Sequence, residues 1–213
     1  MNSIKEFSFE KNCLIMTSSG AKSRGWLDYL DIQDYQIFDS VEPNPSMETV
    51  EKILSEYNQT FSYVIGLGGG SSLDVAKFVA NKLKTKKILI PTTFGSGSEV
   101  TKISVLQIDG KKTSFHSDDL LADISIIDPY FIKDAPFEII KNSAIDACAQ
   151  CTEAFDSKLA NIYTKFLCEK AFDILEKALI EKTYENLSYG AMISGLGFGN
   201  SSTTLGHALS YVY

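Results

Sequence analysis

The chain has 213 residues, 44% of them hydrophobic and 22% charged, which places it among ordinary soluble globular proteins of one large or two small domains. A formal charge of −7 argues against a broad nucleic-acid footprint, and apolar runs such as Ile88-Leu89-Ile90 are far too short to span a bilayer. The N-terminal residues contain no apolar stretch of the kind a secretory signal needs, so the cytoplasm is the expected compartment.

Residues 13–17 read as a short strand that ends at Ser18-Ser19-Gly20, and residues 21–30 as a helix. A second strand covers 35–38. Pro43-Asn44-Pro45-Ser46 then offers a rigid turn and an N-cap, after which Met47, Val50, Ile53, Leu54 and Tyr57 recur at helical spacing. Residues 63–67 form a buried-type strand closed by Gly68-Gly69-Gly70. The helix over 71–83 follows, with Leu73, Ala76, Val79, Ala80 and Leu83 on one face. Another strand, 87–90, ends at Pro91. Strand and helix alternating in this way predict a parallel sheet with helices on both faces.

Beyond Phe94 the pattern changes. Residues 100–108 and 112–115 flank Asp109-Gly110, a strong hairpin signal, and 123–127 return as a strand before Asp128-Pro129. From Pro136 onward the chain reads as helix, over 137–155, 163–180 and 185–198. The fold class is therefore α/β: an N-terminal Rossmann-like parallel-sheet domain over residues 1–134, then an all-helical domain over 135–213. Four cysteines stand at 13, 148, 151 and 168. Cys148 and Cys151 are three apart on a helix and supply only half of a four-ligand zinc site, so they are expected to be reduced helix residues facing the core or a neighbour. His116 is expected on the surface of the hairpin.

The segment from Tyr63 to Asp74 is a strand, a glycine turn and a helix start. Glycines let a backbone approach a bound group, and the helix start offers unpaired N–H groups and the positive end of its dipole, a combination suited to a diphosphate. The spacing departs from the dinucleotide fingerprint, and no Gly-Lys-Ser/Thr follows to make a mononucleotide loop. The plainer alternative is a tight turn capped by Ser71 or Ser72. A second loop, Pro91-Thr92-Thr93-Phe94-Gly95-Ser96-Gly97-Ser98-Glu99-Val100-Thr101, follows the next strand. Two such loops at the carboxyl ends of consecutive strands are expected to line one crevice, where α/β sheets bind ligands.

Gly68-Gly69-Gly70-Ser71-x-x-Asp74-x-Ala76-Lys77 resembles the glycine motif of the iron-containing (group III) alcohol dehydrogenases. The segment from Pro91 to Thr101 resembles that family's second nucleotide loop. Val41-Glu42-Pro43-Asn44-Pro45, and Asp128-Pro129 followed by Ala144-Ile145-Asp146-Ala147, resemble further family segments in the expected order. The resemblance implies a dinucleotide-binding α/β domain, a helical domain that is incomplete here, and NAD(P)H as cofactor. It implies Ser18, Gly69, Gly70, Ser71, Asp74, Thr92, Thr93 and Ser98 as cofactor-binding residues. Ser18 stands where many members carry an acidic residue for the adenine ribose. A neutral residue there, with Arg24 nearby, inclines the reading to NADP(H).

The resemblance also implies a metal held by an aspartate, a histidine one helical turn later and two further histidines. Asp146 fits the first position and His207 the third, but Gln150 fills the second, and a neutral amide oxygen is a poor ligand for a divalent transition metal. The sequence ends at Tyr213, before the last ligand, so Asp146, Gln150 and His207 form an incomplete set and tight Fe²⁺ or Zn²⁺ binding is not expected. Tyr211, four residues after His207, is the candidate proton relay, against a plain packed aromatic. The segment around His207, with Gln150, resembles the branch that reduces phosphonoacetaldehyde and related small aldehydes. The activity implied is metal-assisted hydride transfer to a small aldehyde. The implied partners are that aldehyde or alcohol and a second copy of the chain, with neither nucleic acid nor membrane.

Two other readings stand beside it. One is an inactive truncated fragment that binds nucleotide only, exposing Leu187, Met192, Ile193 and Leu196 of its last long helix. The other is a dehydroquinate-synthase-like or glycerol-1-phosphate-dehydrogenase-like enzyme.

Overall fold

The computed structural model describes residues 3–210 and divides into two compact units. The first holds residues up to Thr92 together with Lys102–Asp128; the second holds Thr93–Thr101 and the chain from Pro129 onward.

The first unit begins with β1 (Cys13–Met16), α1 (Gly20–Ser23), α2 (Trp26–Leu30) and β2 (Tyr35–Phe38). The single helix expected over 21–30 is broken in two. Gly25 takes a left-handed φ of 67°, which ends one helix and starts the next. Next come α3 (Met47–Glu56), β3 (Tyr63–Gly68), α4 (Gly70–Leu83) and β4 (Lys86–Pro91). Ser46 caps α3, its hydroxyl accepting from the Thr49 N–H. The hairpin follows as β5 (Ile103–Ile108) and β6 (Lys111–His116), turning through Asp109 and Gly110 at φ 51° and 73° as the Asp-Gly pair predicts. The strand expected over 123–127 shrinks to β7 (Ile124–Ser125).

The main sheet runs β2-β1-β3-β4-β7, and every pair in it is parallel. The residues of β1 are fully buried, and so are Val64, Ile65 and Leu67 of β3 and Ile88, Leu89 and Ile90 of β4, as a sheet covered on both faces demands. Leu73, Ala76, Val79 and Ala80 of α4 join Leu14, Met16, Val64 and Leu89 in the core. The hairpin lies over α4, where Phe115 meets Phe78 edge-on at 4.8 Å.

The second unit is helical: α5 (Phe137–Phe155), α6 (Ile162–Glu181), α7 (Tyr184–Gly199) and α8 (Leu205–Ser210). Asn161 opens α6 with a reciprocal capping box to Thr164. The expected exposed face of α7 is corrected here. Leu187 is buried and Met192, Ile193 and Leu196 are half-buried, because α7 packs against both α5 and α6. The exposed apolar residues stand elsewhere, with Ile162, Tyr163 and Ile180 of α6 more than three-quarters exposed, at 80%, 79% and 76%. Among the described residues no helix is long and apolar enough to cross a membrane.

Candidate functional site

The strand order 2-1-3-4 places the change of winding direction between β1 and β3, and in open parallel sheets ligands bind outside the carboxyl ends of the strands at that switch point. The two strand ends are tied together: the Thr17 hydroxyl, fully buried, donates to the Leu67 carbonyl at 2.6 Å. The glycine turn leaves β3 at this spot. At Gly68 a Cβ would fall 2.6 Å from Ser72 Oγ and 2.7 Å from Ser72 Cβ, so only glycine lets the chain fold this tightly into α4. The N-cap of α4 is Gly69, in extended conformation and with no side-chain cap. The serine caps considered as the plainer alternative are therefore not made. Gly69, Gly70 and Ser71 are half-buried at the turn. Backbone amides at the start of a 14-residue helix, beside a switch point, are groups of the kind that can hold an anion.

Ser18 is half-buried directly beyond β1, at the other side of the same switch point. The Arg24 guanidinium folds back over Gly20, filling the space a side chain there would take, and stacks 4.9 Å from the Trp26 ring. The end of β4 adjoins the glycine turn. Pro91 pairs with Gly68 in register, and the Thr92 N–H donates to the Gly68 carbonyl at 2.9 Å. Thr92 is 4% exposed.

Asp74 has a different setting from the rest of the set. Its carboxylate Oδ2 accepts from the Val105 N–H at 2.9 Å, and its carbonyl accepts from the Ser104 hydroxyl at 3.1 Å. Its Oδ1 stands 3.9 Å from the ammonium of Lys77, which is fully buried and donates to the Ile103 carbonyl at 2.7 Å. These bonds fasten α4 to β5. Nothing in the sequence pointed to these hairpin partners, since they lie some 30 residues downstream.

Within the second unit, Thr93 is half-buried and Ser98 buried. The loop that carries them packs on the helices. Gly95 lies against the Ser143 backbone, Gly97 against Gly195 and Phe198, and Thr101 against Gly199.

The same unit brings Asp146, Gln150 and His207 together. Gln150 Nε2 donates to Asp146 Oδ2 at 3.2 Å, one helical turn away, and His207 Nε2 lies 3.4 Å from Asp146 Oδ1. Sequence reasoning missed the residue that holds this cluster. Glu153 Oε1 is 2.8 Å from His207 Nδ1, while its Oε2 accepts from the Thr204 N–H at 2.5 Å and the Thr204 hydroxyl at 2.9 Å. A signal existed: Asp146, Gln150 and Glu153 follow at i, i+4 and i+7 on one helix face. Burial works to raise the Glu153 carboxyl, but the Thr204 N–H and hydroxyl and the His207 ring outweigh it and hold it below the ordinary carboxylate range. His207 is pushed above the ordinary histidine value, chiefly by Asp146 and then by Glu153, against its own burial. Tyr211 lies outside the described residues.

Tested against a divalent metal, this donor set does not fit. The two His207 nitrogens lie 2.8 Å from Glu153 Oε1 and 3.4 Å from Asp146 Oδ1, and Nε2 makes no hydrogen bond. Gln150 turns its amide nitrogen, not its oxygen, to Asp146, and its buried Oε1 has no hydrogen-bond partner. Among the described residues no group of three or more His, Cys, Asp or Glu side chains is arranged to hold a metal ion.

Comparison with known proteins adds to this geometry. The family model for iron-containing alcohol dehydrogenase matches residues 2–129. A 4-hydroxybutyrate dehydrogenase of Clostridium kluyveri is 32% identical, over 78% of this chain and 53% of its own length. Long-chain-alcohol dehydrogenase 1 of Geobacillus thermodenitrificans is 34% identical, over 82% of this chain and 52% of its own. The sulfoacetaldehyde reductase of Bifidobacterium kashiwanohense, solved in complex with NAD⁺, superposes with a TM-score of 0.85 at 26% identity, over 94% of this chain and 62% of that one. The chain thus spans about half the length of the curated relatives it matches. With its family model covering more than half of the sequence and its parallel sheet matching the solved relative, the chain belongs to the iron-containing alcohol dehydrogenase family.

Proposed function

We propose that this chain binds NAD(P)H at the carboxyl ends of β1 and β3 and serves reduction of a small aldehyde, or the reverse oxidation of the alcohol. One observation carries the reading: an uncapped helix start, reached through a turn that only glycine permits, sits at the topological switch point of a parallel sheet. That cradle fits a dinucleotide. The amides of Gly69, Gly70 and Ser71 would hold the diphosphate, and Ser18 would face the adenine ribose. The bound cofactor supplies a hydride at nicotinamide C4 for the substrate's carbonyl carbon. The chain's own part is to bind and orient the dinucleotide, with Thr92, Thr93 and Ser98 of the second loop assigned to the rest of it. Asp74 serves this site by keeping α4 in place, its carboxylate being engaged by Val105 and Lys77. The sulfoacetaldehyde reductase bound to NAD⁺ supports a nicotinamide cofactor.

The neutral Ser18 and the Arg24 guanidinium folded over Gly20 favour a 2′-phosphate, hence NADPH over NADH. The reduction of a small aldehyde in the manner of phosphonoacetaldehyde reductases, a cytoplasmic setting and assembly as a homodimer belong to the same reading.

A second reading follows from the donor set: nucleotide binding without metal-assisted turnover. His207 between two carboxylates favours it. One experiment separates the two. The purified chain is titrated with NADH and NADPH by nicotinamide fluorescence, then assayed with several small aldehydes with and without added Zn²⁺ or Fe²⁺. Tight NADPH binding with turnover supports the first reading. Binding without turnover under every metal condition supports the second. Absence of binding to either nucleotide overturns both, and an NADH preference overturns the role given to Arg24.

A further inference from the structure

The loop Thr93–Thr101 belongs to the helical unit, and it is seated there mostly backbone against backbone, at glycines. A Cβ at Gly95 would fall 2.7 Å from the Ser143 carbonyl oxygen and 2.9 Å from the Ser143 Cα of α5. At Gly97 a Cβ would fall 2.7 Å from the Gly195 Cα of α7, and Gly97 also takes the left-handed φ of 60°. The fit is mutual, since a Cβ at Gly195 would fall 2.6 Å from Val100 Cγ2 and 3.0 Å from the Gly97 Cα. One turn further along α7, a Cβ at Gly199 would meet Thr101 Cγ2 at 2.8 Å. Behind the loop the two helices are fastened to each other: the buried Ser194 hydroxyl, next to Gly195, donates to the Ala147 carbonyl at 3.0 Å, one turn along α5 from Ser143. A side-chain tip can swing aside, but packed backbone cannot, so this seat fixes how closely the loop lies on both helices.

We propose that Gly195 of α7 is a positioning residue for the cofactor, acting through the loop on which it presses. The inference rests on the assignment of Thr93 and Ser98 to the part of NAD(P)H beyond the diphosphate. A methyl group at 195 would push on Val100 and on the Gly97 backbone and lift the loop off α7, carrying Thr93 and Ser98 with it. The amides of Gly69, Gly70 and Ser71 belong to the start of α4, which makes no use of this seat. Lifting the loop therefore loosens the nicotinamide end of the cofactor and spares the adenosine diphosphate end.

The test compares each cofactor with its own fragment on the full chain: NADPH with 2′-phospho-ADP, and NADH with ADP. The fragments carry the adenosine end and the diphosphate, without the second ribose or the nicotinamide. Affinities are measured by calorimetry, and each variant's urea unfolding is followed alongside. Gly195→Ala should weaken the preferred cofactor by about tenfold or more and leave its fragment's affinity unchanged. Adding Val100→Ala should restore part of the loss, because the Val100 methyl is the nearest obstacle. Unchanged cofactor binding, or equal weakening of cofactor and fragment, would overturn the role of Gly195 while the cofactor site stands. An unaltered chain that binds neither cofactor nor fragment would overturn the site and this role with it. If Gly195→Ala does not fold, hydrogen exchange in the unaltered chain decides. The cofactor should slow exchange in α7 around Gly195 and the fragment should not; equal protection by both, or by neither, would overturn the role.

Discussion

The glycine turn after β3 and the carboxylate–histidine cluster on α5 and α8 are built on opposite principles. The turn works through backbone. Its groups are peptide amides, and the sequence's contribution is mostly what it leaves out, a Cβ at Gly68 and a capping side chain at Gly69. The cluster works through side chains that converge from residues up to 61 apart, counted from Asp146 to His207, and each can be replaced by one substitution. The contrast teaches where a function of this kind is robust. A backbone arrangement persists as long as the strand, turn and helix fold, whereas a cluster of discrete side chains such as Asp146, Gln150 and His207 is altered by a single substitution.

The largest expected effect tests whether the turn is as independent of side chains as this suggests. Asp74→Ala removes the carboxylate beside the fully buried Lys77 ammonium and the acceptor of the Val105 N–H. Breaking one side of such a buried pair costs about 3–5 kcal/mol, to be read by urea unfolding followed by circular dichroism. Asp74→Ala with Lys77→Met should recover a good part of that loss, because the buried ammonium that faced Asp74 is then gone. If Asp74→Ala instead weakened NADPH binding with unfolding unchanged, Asp74 would be a cofactor contact rather than the anchor of α4.

The same comparison explains what the sequence let a reader see. The order of strands and helices was legible because buried strands such as 63–67 and amphipathic helices such as 47–57 carry their own periodicity. The helix break at Gly25 was not, since an isolated glycine in a helical pattern is as often tolerated as not. Neither was the short length of β7, which pairs with β4 at only two residues. The glycine turn was legible because glycine placement is itself the signal. The cluster was legible only in part. Asp146, Gln150 and His207 came from a family resemblance, while Glu153, the residue that binds both His207 and Thr204, had no motif to announce it. Side-chain partners distant in sequence are fixed by tertiary packing, which local pattern does not encode.

A middle-sized effect sharpens the side-chain half of the contrast. Glu153→Ala removes the acceptor of the Thr204 N–H, the Thr204 hydroxyl and the His207 ring at once. Hydrogen bonds to a charged group contribute about 1.5–3 kcal/mol, so a loss of that order is expected in unfolding of the helical unit. NADPH binding at the glycine turn should change little, and a parallel collapse of both would contradict the separation drawn between backbone-made and side-chain-made sites.

The smallest effect is a pH dependence confined to the cluster. His207, whose ordinary value is 6.5, is raised by Asp146 first and Glu153 second, so its contribution is fully present below 6.5 and fades as pH climbs through the raised value. Glu153, ordinarily at 4.5, is lowered by Thr204 and His207 against its burial, so its contribution is fully present above 4.5 and fades as pH falls through the lowered value. The two overlap in mildly acidic solution, where both groups are charged and α8 is held hardest to α5. Hydrogen exchange at the Thr204 amide, corrected for intrinsic rate, should therefore be slower at about pH 5.5 than at about pH 9. Glu153→Gln should flatten the difference, since a neutral amide no longer favours the imidazolium. Exchange at the first residues of α4 should follow the intrinsic rate across the same range, because no titratable side chain caps that helix. If the Thr204 amide were equally protected at both pH values, His207 and Glu153 would not be linked through their charges, and the cluster would be held by packing alone.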